Sequence, residues 1–346
     1  MRWEKVCLES VAYRLPDERV SSTSLEARLA PLYASLRLDR GQVEALTGIR
    51  ERRMWPPGPV MGECAALAGR EALAAAGMRG SDLGAVVYAG VCRDNLEPAT
   101  ACAVAAALDV QGDAFVFDIS NACLGVLNGI VEVANRIELG QIRTGLVVSA
   151  ESSREIVDAT IARLNADPTL EAFRLGMATL TGGSGAAAVV LTHRDSSDGG
   201  HRLVGGAALT APAHHRICRW GPTSGLLGQT TNVMETDASK VLRHGVELAT
   251  ATWRRLLSET GWRAEDVDRV ISHQVGDAHR REVLGALGIT ADRDFSTFAE
   301  LGNIGTVSVP LTAAVASEQG FLSPGDRVGM LGIGSGLNCL MLAVQW

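Results

Sequence analysis

Aromatic residues, basic stretches and long apolar runs are all scarce in this sequence. Phe, Trp and Tyr make up 4% of the 346 residues, whereas 38 residues are glycine. Small side chains let helices pack closely on sheets, so this composition favours an α/β protein over a fibrous or disordered one. The net charge is −7 and both signs are mixed along the chain. The sequence therefore has no basic stripe for a phosphate backbone, which argues against nucleic acid as a partner.

Export and membrane signals are also missing. The first residues, MRWE, do not show the charged-then-apolar pattern of a signal peptide. No apolar run approaches the ~20 residues that a membrane-spanning helix needs. We therefore expect a cytoplasmic protein that is not transmembrane.

Cysteine spacing argues against a disulfide framework and against a metal site. The seven cysteines are scattered, and none forms a C-x-x-C pair. We expect most of them to be small buried residues of the core. The histidines, including the pair at 214–215, also lack the spacing of metal ligands. We therefore predict no metal centre.

Two segments of the chain repeat each other without a gap. Residues 63–91 align with 247–275 at a constant offset of 184, so that Arg79 pairs with Arg263. Each copy has the pattern of an amphipathic helix, a glycine stop, an acidic loop and a buried β-branched strand. This repeat predicts a duplicated supersecondary unit.

The repeat continues downstream of both segments. The first copy is followed by a strand at 115–118, a helix over roughly 124–139 and a strand at 146–148. The second copy is followed by a helix from about 307 and a strand near Val328, which corresponds to residue 146 at an offset of 182. We divide the chain into halves at 1–194 and 195–346, separated by the polar turn that begins at 195. The alternation of strands and helices predicts an α/β fold with two mostly parallel, pseudo-symmetric sheets, and ligands at the carboxyl ends of strands.

Cys123 is the first candidate for chemistry. It follows the predicted strand at 115–118 and precedes a helix, whose amide dipoles favour a thiolate. A thiolate exchanges readily with thioesters, so the position suits acyl transfer. Taken alone, a cysteine near a helix start is more often a buried structural residue.

Two further polar residues occupy comparable places. His273 ends an apolar strand, where an imidazole can donate to an oxyanion or transfer a proton; a core histidine with satisfied nitrogens is the alternative. Asn303 lies between glycines at a helix start, which equally describes a helix cap or a turn. Because these residues and Cys123 all follow predicted strands or begin helices, we interpret them as converging on one pocket.

Two loops complete the candidate site. The glycine loop, GIGSGLN at 332–338, follows a strand and lets backbone N–H groups approach a ligand closely. It is not a dinucleotide fingerprint, because Leu337 stands where the third glycine is needed. Glu97 follows the strand that is equivalent to the His273 strand, although a glutamate before a proline is normally a solvated loop residue. No serine has the glycine flanks of a hydrolase elbow.

Together these segments resemble the ketoacyl synthase III branch of the thiolase superfamily over nearly the whole chain. The resemblance is carried, in family order, by TGIRERR at 47–53, Ala122-Cys123, Ser272-His273-Gln274, Gly302-Asn303 and the glycine loop. Within that branch the sequence is most similar to OleA-type enzymes, which condense two long acyl-CoA molecules head to head. The residues that carry this second resemblance are RDNLEP at 93–98, NACL at 121–124, GNIG at 302–305 and 331–339.

The resemblance implies a thiolase fold with a layered α-β-α-β-α core and a set of roles. Cys123 accepts the acyl group, and His273 and Asn303 hold the oxygen of the second thioester. The backbone N–H groups of Cys123 and Ser335 hold the oxygen of the first. Glu97 is the base, reaching across a homodimer into the site of the partner. The substrate-binding residues of the set are Arg50, Gly334 and Gly336.

Glu97 separates the mechanisms that this set of residues allows. A decarboxylative synthase obtains its carbanion from a malonyl unit, whereas a non-decarboxylative Claisen condensation must remove an α-proton and needs a carboxylate. We therefore expect condensation of two acyl-CoAs to a β-keto acid, a precursor of olefin, ketone or β-lactone, without metal or redox cofactor. The alternatives are a decarboxylative starter synthase, acyl transfer to an alcohol or amine, and an inactive dimerisation subunit. The sequence leaves three points open: the length of the acyl chains, whether the donor is CoA or a carrier protein, and whether the chain forms a homodimer or a heterodimer with a homologue.

Overall fold

A computed structural model describes residues 1–222 and 232–346. The strands of these residues are β1 Val6–Arg14, β2 Glu18–Ser21, β3 Glu51–Met54, β4 Ala85–Tyr88, β5 Phe115–Asp118, β6 Thr144–Glu151, β7 Gly185–His193, β8 His201–Thr210, β9 Cys218–Pro222, β10 Asn232–Thr236, β11 Arg269–Ser272, β12 Arg327–Gly334 and β13 Asn338–Gln345. The helices are α1 Ser22–Arg28, α2 Ala30–Leu36, α3 Gln42–Thr47, α4 Met61–Ala75, α5 Thr100–Ala107, α6 Gly125–Glu138, α7 Arg154–Ala166, α8 Leu170–Leu180, α9 Ala238–Thr260, α10 Asp277–Leu287, α11 Phe298–Leu301 and α12 Ser308–Glu318.

A nine-stranded sheet has the same strand order in each half of the chain. Its order is β11-β12-β13-β8-β1-β7-β6-β4-β5. The first half supplies β5-β4-β6-β7-β1, and the second supplies β11-β12-β13-β8. A parallel bridge between Val270 and Asp294 takes the place of β5 in the second half. The halves join where β1 pairs with β8, so the predicted duplication is present in the topology.

The sheet is mixed, and the expectation of two mostly parallel sheets is wrong. β4 pairs in parallel with β5 and β6, and β11 with β12. The strands that close each half, β7 and β13, run antiparallel to their neighbours. β6 and β7 are buried along almost their whole length, as expected for strands of a sheet that helices cover on both faces. The predicted division at residue 194 lies just beyond β7 and stays a prediction.

Helices cover both faces of each half. α6 and α12 contact strands of both halves, including β13 for α6 and β1 for α12, and form the middle layer. α4 and α5 pack outside the first half, and α9 packs outside the second with α10 against it. The layers therefore run α-β-α-β-α. None of the helices in the described part of the chain is long and apolar enough to cross a membrane.

Local chemistry explains why the repeated units fold alike. Arg79 and Arg263 each precede a 3₁₀ turn, and in each copy the third residue of the turn, Asp82 or Asp266, accepts the N–H of the arginine. The turn then leads directly into β4 or β11, which are buried. The acidic loop of the sequence repeat is thus a turn that fixes where each strand begins.

Candidate active site

A cavity of about 510 Å³ lies where the two halves meet. Its walls come from the turn before α6, the end of β6 with the start of α7, the end of α8 with the turn after it, strands β9 and β10, the turn after α11, and the glycine loop. The lining includes Cys123, Glu151, Cys218, Asn303 and Ser335. Three of the predicted site residues, Cys123, Asn303 and Ser335, therefore share one chamber.

The turn that carries Cys123 is held on both sides. Ala122 has a left-handed backbone conformation (φ 45°), which turns the chain sharply before the nucleophile. Asn338 donates its side-chain N–H to Asn121 at 3.1 Å, which fixes this turn to the glycine loop. On the other side, a Cβ at Gly334 would lie 3.3 Å from the Cys123 nitrogen. Glycine at 334 therefore allows the closest approach of backbone to nucleophile.

Burial dominates the ionisation of Cys123. Loss of solvent raises the pKa of the thiol to about 12, and the nearby Cys218 and Glu151 raise it further, while its own backbone N–H lowers it. Desolvation therefore exceeds the effect of the amide dipoles at the helix start, which by themselves favour the thiolate.

Asn303 is fixed by backbone contacts that leave its amide in the cavity. Its N–H donates to the Thr181 carbonyl at 2.9 Å, and its carbonyl accepts the N–H of Gly183 at 2.9 Å. The side-chain Oδ1 accepts the N–H of Gly305 at 3.1 Å. Since the oxygen is engaged, the Nδ2 group is the donor that remains for a ligand.

Replacing the Asn303 amide tests this assignment. Asn303→Asp keeps the shape but presents a carboxylate oxygen where the donor stood, so we expect condensation to fall by about 10²- to 10³-fold. Acylation of Cys123, followed by intact mass, should change far less, because the predicted role of the amide is on the second thioester. Equal loss in both steps would contradict the assignment.

His273 is buried and lies in a different cavity. Only 5% of its surface is exposed, and its backbone N–H donates to the Leu331 carbonyl at 2.8 Å. It lines a void of about 20 Å³ together with His279. Its Nδ1 has no hydrogen-bond partner among residues 1–222 and 232–346. Burial, and to a smaller degree His279, lowers the pKa of His273 to about 3, so the ring is neutral and donates from one nitrogen only.

This burial predicts a loss of stability in acid. The unfolded His273 binds a proton near pH 6.5 and the folded one only near 3, so stability is lost as the pH falls through that window. The expected loss is roughly 3 kcal/mol by about pH 4.5. Denaturant unfolding at two pH values should show a smaller acid loss for His273→Asn than for the original chain. The exposed His215 supplies a control variant, His215→Asn, and an unchanged acid loss in His273→Asn would contradict the prediction.

The other predicted residues lie outside the cavity. Glu97 is exposed on the loop after β4 and does not line the cavity of its own chain. Arg50 is also exposed, and it forms an ion pair with Glu300 on α11. Gly336 lies in the turn between β12 and β13. The structure therefore brings together the nucleophile, Asn303 and Ser335, and leaves Glu97 and Arg50 on the surface.

Two cavity residues were missed by the sequence reasoning. Glu151 ends β6 and points into the cavity. Cys218 begins β9, and its sulfur accepts the Ser335 hydroxyl at 3.0 Å. Of the seven cysteines, all free, Cys7 and Cys339 are buried and Cys102 is exposed. The expectation of mostly buried cysteines thus holds for two of them.

Comparisons with known proteins agree with this geometry. Residues 117–208 match the 3-oxoacyl-(acyl-carrier-protein) synthase III family and 257–346 match the C-terminal domain of that family. An acyl-CoA:acyl-CoA alkyltransferase of Shewanella oneidensis is 53% identical, with 100% of each chain covered. The chain belongs to the 3-oxoacyl-(acyl-carrier-protein) synthase III family. The chain is also 34% identical to an acyl-CoA:acyl-CoA alkyltransferase of Xanthomonas campestris, with 100% of each chain covered.

Solved structures of OleA are similar to this chain over nearly its whole length. A variant of Xanthomonas campestris OleA matches with a TM-score of 0.94 at 33% identity, covering 100% of this chain and 98% of that one. Another OleA variant, with lauric acid and lauroyl-CoA bound, matches with a TM-score of 0.93 at 33% identity and covers 99% and 100%. The predicted thiolase fold, the OleA-type resemblance and the acyltransferase class are thereby confirmed. The roles of the individual residues stay predictions.

Proposed function

We propose that this enzyme joins two long-chain acyl-CoA molecules by a non-decarboxylative Claisen condensation that yields a β-keto acid. The observation that carries the proposal is a cysteine thiol in a mostly apolar chamber that also presents the free amide donor of Asn303. The two alkyltransferases named above, both similar over the whole chain, support acyl-CoA as donor and acceptor.

In the first step Cys123 becomes acylated. Its sulfur attacks the thioester carbonyl, the carbon–sulfur bond to CoA breaks, and the thiol proton leaves with the CoA thiolate. The backbone N–H groups of Cys123 and Ser335 stabilise the oxyanion, which suits the close approach that Gly334 permits. The apolar lining of the chamber accommodates the acyl chain.

In the second step a carbon–carbon bond forms. A carboxylate removes an α-proton of the second acyl-CoA. The resulting carbanion attacks the acyl carbonyl carbon on Cys123, and the Cys123 sulfur leaves as a thiolate. Asn303 donates to the oxygen of the second thioester. The predicted role of His273 as a second donor requires its one ring N–H to reach this oxygen from the separate void that it lines. Hydrolysis of the β-ketoacyl-CoA then gives the β-keto acid and CoA.

Glu97 is the carboxylate of this step, and it serves the partner subunit of a homodimer. Its exposure and its absence from the cavity of its own chain support action across an interface. β5, beside the Glu97 loop, is the last strand of the sheet and leaves Phe115 45% exposed, and Leu96 is 71% exposed. An apolar sheet edge of this kind is suited to pairing with a second copy.

A single substrate decides between the candidate reactions. Purified protein incubated with one long acyl-CoA alone should release CoA and form a β-keto acid, detected as the symmetrical ketone after decarboxylation. A strict requirement for a malonyl thioester would establish the decarboxylative starter synthase instead. An ester or amide product would indicate transfer to an alcohol or amine. Failure of Cys123 to gain acyl mass with any thioester would leave only a dimerisation role.

A further inference from the structure

Glu151 is a buried carboxylate that none of the proposed steps uses. It is the last residue of β6, 4% of its surface is exposed, and its side chain lines the same cavity as Cys123. No Lys or Arg within residues 1–222 and 232–346 forms an ion pair with it. A buried carboxylate without a counter-charge is costly, so its retention in the wall of an active site calls for a role.

One end of Glu151 holds the start of the loop that carries Glu97. Its Oε1 accepts the N–H of Val91 at 2.9 Å, and its Oε2 accepts the N–H of Cys92 at 3.2 Å. These two residues lie three and four residues after the end of β4, and six and five residues before Glu97. Each N–H group thus has its own carboxylate oxygen as acceptor.

The stem of Glu151 supports the turn that orients Asn303. A Cβ added at Gly305 would lie 3.3 Å from Cγ of Glu151, so Glu151 lies beside Gly305 and leaves little room for a side chain there. Gly305 has a left-handed backbone (φ 60°), and its N–H is the donor that engages the Asn303 side chain. A shift of Glu151 would therefore move the Asn303 amide as well.

We propose that Glu151 is a positioning residue for carbon–carbon bond formation. It fixes the corner from which the Glu97 loop departs and, at the same time, the turn that aims Asn303. Base and oxyanion donor thereby keep a defined geometry in the two sites of the dimer. The inference rests on the proposed condensation, in which both groups act on the second thioester and neither acts on acylation of Cys123.

Burial and hydrogen bonding have opposite effects on the pKa of the Glu151 carboxyl group. Loss of solvent raises the pKa of Glu151 to about 7, although the N–H groups of Val91 and Cys92 lower it. A residue with only a packing role would be served by glutamine at no such cost. Glutamine, however, offers one acceptor and places an NH₂ group against the second backbone N–H.

The test separates acylation from condensation. For Glu151→Gln we expect acylation of Cys123 by a long acyl-CoA, measured by intact mass, within about threefold of the original chain, and condensation about 10- to 100-fold slower, since a small misplacement of reacting groups has effects of this size. The acyl-enzyme then hydrolyses, so the ratio of free fatty acid to ketone rises. Glu151→Asp, which keeps both acceptors, should recover part of the condensation.

Two further variants keep the test decisive. Gly305→Ala disturbs the same contact from the opposite side and should shift the ratio in the same direction. Glu155→Gln changes an exposed carboxyl four residues further along, which accepts the Ser152 hydroxyl, and should leave the ratio unchanged. If Glu151→Gln does not fold, Glu151→Asp and Gly305→Ala carry the test.

Each outcome is assignable to one hypothesis. Equal loss of acylation and condensation in the variants, or an unchanged ratio of fatty acid to ketone, would overturn the positioning role. Failure of the original chain to form ketone from acyl-CoA would overturn the proposed function instead, whatever the variants do.

Discussion

Cys123→Ala will form no acyl-enzyme and will lower condensation by roughly three orders of magnitude or more. The sulfur is the only atom in the proposed mechanism that bonds to the first acyl group, so no neighbouring group can replace it. The measurement is the intact mass of the protein after a brief exposure to a long acyl-CoA, with ketone formation followed in parallel. Folding is checked by thermal melting of the same samples.

The cavity provides its own control for this substitution. Cys218 lines the same chamber but lies on β9 and not at a helix start, and its sulfur accepts the hydroxyl of Ser335. Cys218→Ala should gain acyl mass like the original chain. If acyl mass were lost in Cys218→Ala and kept in Cys123→Ala, the nucleophile would have been assigned to the wrong cysteine.

Glu97→Gln will acylate normally and fail to condense. The substitution removes the base and leaves the thiol and its oxyanion donors unchanged, so we expect condensation to fall by about 10²- to 10⁴-fold while acyl mass on Cys123 accumulates. The exposed Glu44 on α3 supplies the control, Glu44→Gln, which should condense at the original rate. A Glu97→Gln variant with full ketone formation would favour the decarboxylative synthase, tested next with a malonyl thioester.

Mixed dimers test whether Glu97 acts across the interface. Each variant, Cys123→Ala or Glu97→Gln, is inactive alone. A mixed dimer contains one site with an intact Cys123 and an intact Glu97 from the other chain, so random mixing should restore about a quarter of the original activity. No restoration after verified subunit exchange would mean that Glu97 serves its own chain.

Local sequence patterns predicted local structure well. The strand at 115–118 is β5, and the helix predicted over roughly 124–139 is α6, Gly125–Glu138. The offset of 184 relates β4 to β11 residue for residue. Each of these features depends on turns and periodicities within a few residues, which the sequence displays directly.

Long-range pairing was predicted less well. In the sheet Val86 pairs with Leu146 and Val270 with Gly329, so equivalent residues lie 183 apart at these strands, not 182. The antiparallel direction of β7 and β13 was missed for the same reason. Strand direction and register depend on which apolar segments meet in three dimensions, and an apolar run does not encode that by itself.

The electrostatics of the site also required the structure. The sequence places Cys123 at a helix start, but only the three-dimensional surroundings show that burial sets the pKa of its thiol. Glu151 follows an apolar strand and looks like an ordinary surface residue until the end of β6 is seen to face the cavity. Motifs in family order identified Cys123 and Asn303, whereas an isolated carboxylate gave no such signal.

A chase of the isolated acyl-enzyme tests the central claim most directly. The protein is acylated on Cys123 with one long acyl-CoA, freed of excess substrate, and mixed with lauroyl-CoA as the only second thioester. We expect discharge of Cys123 and a mixed ketone, after decarboxylation, whose carbon number is that of both chains less one. Release of the first chain only as free fatty acid, with ketone formed solely when a malonyl thioester is added, would contradict it.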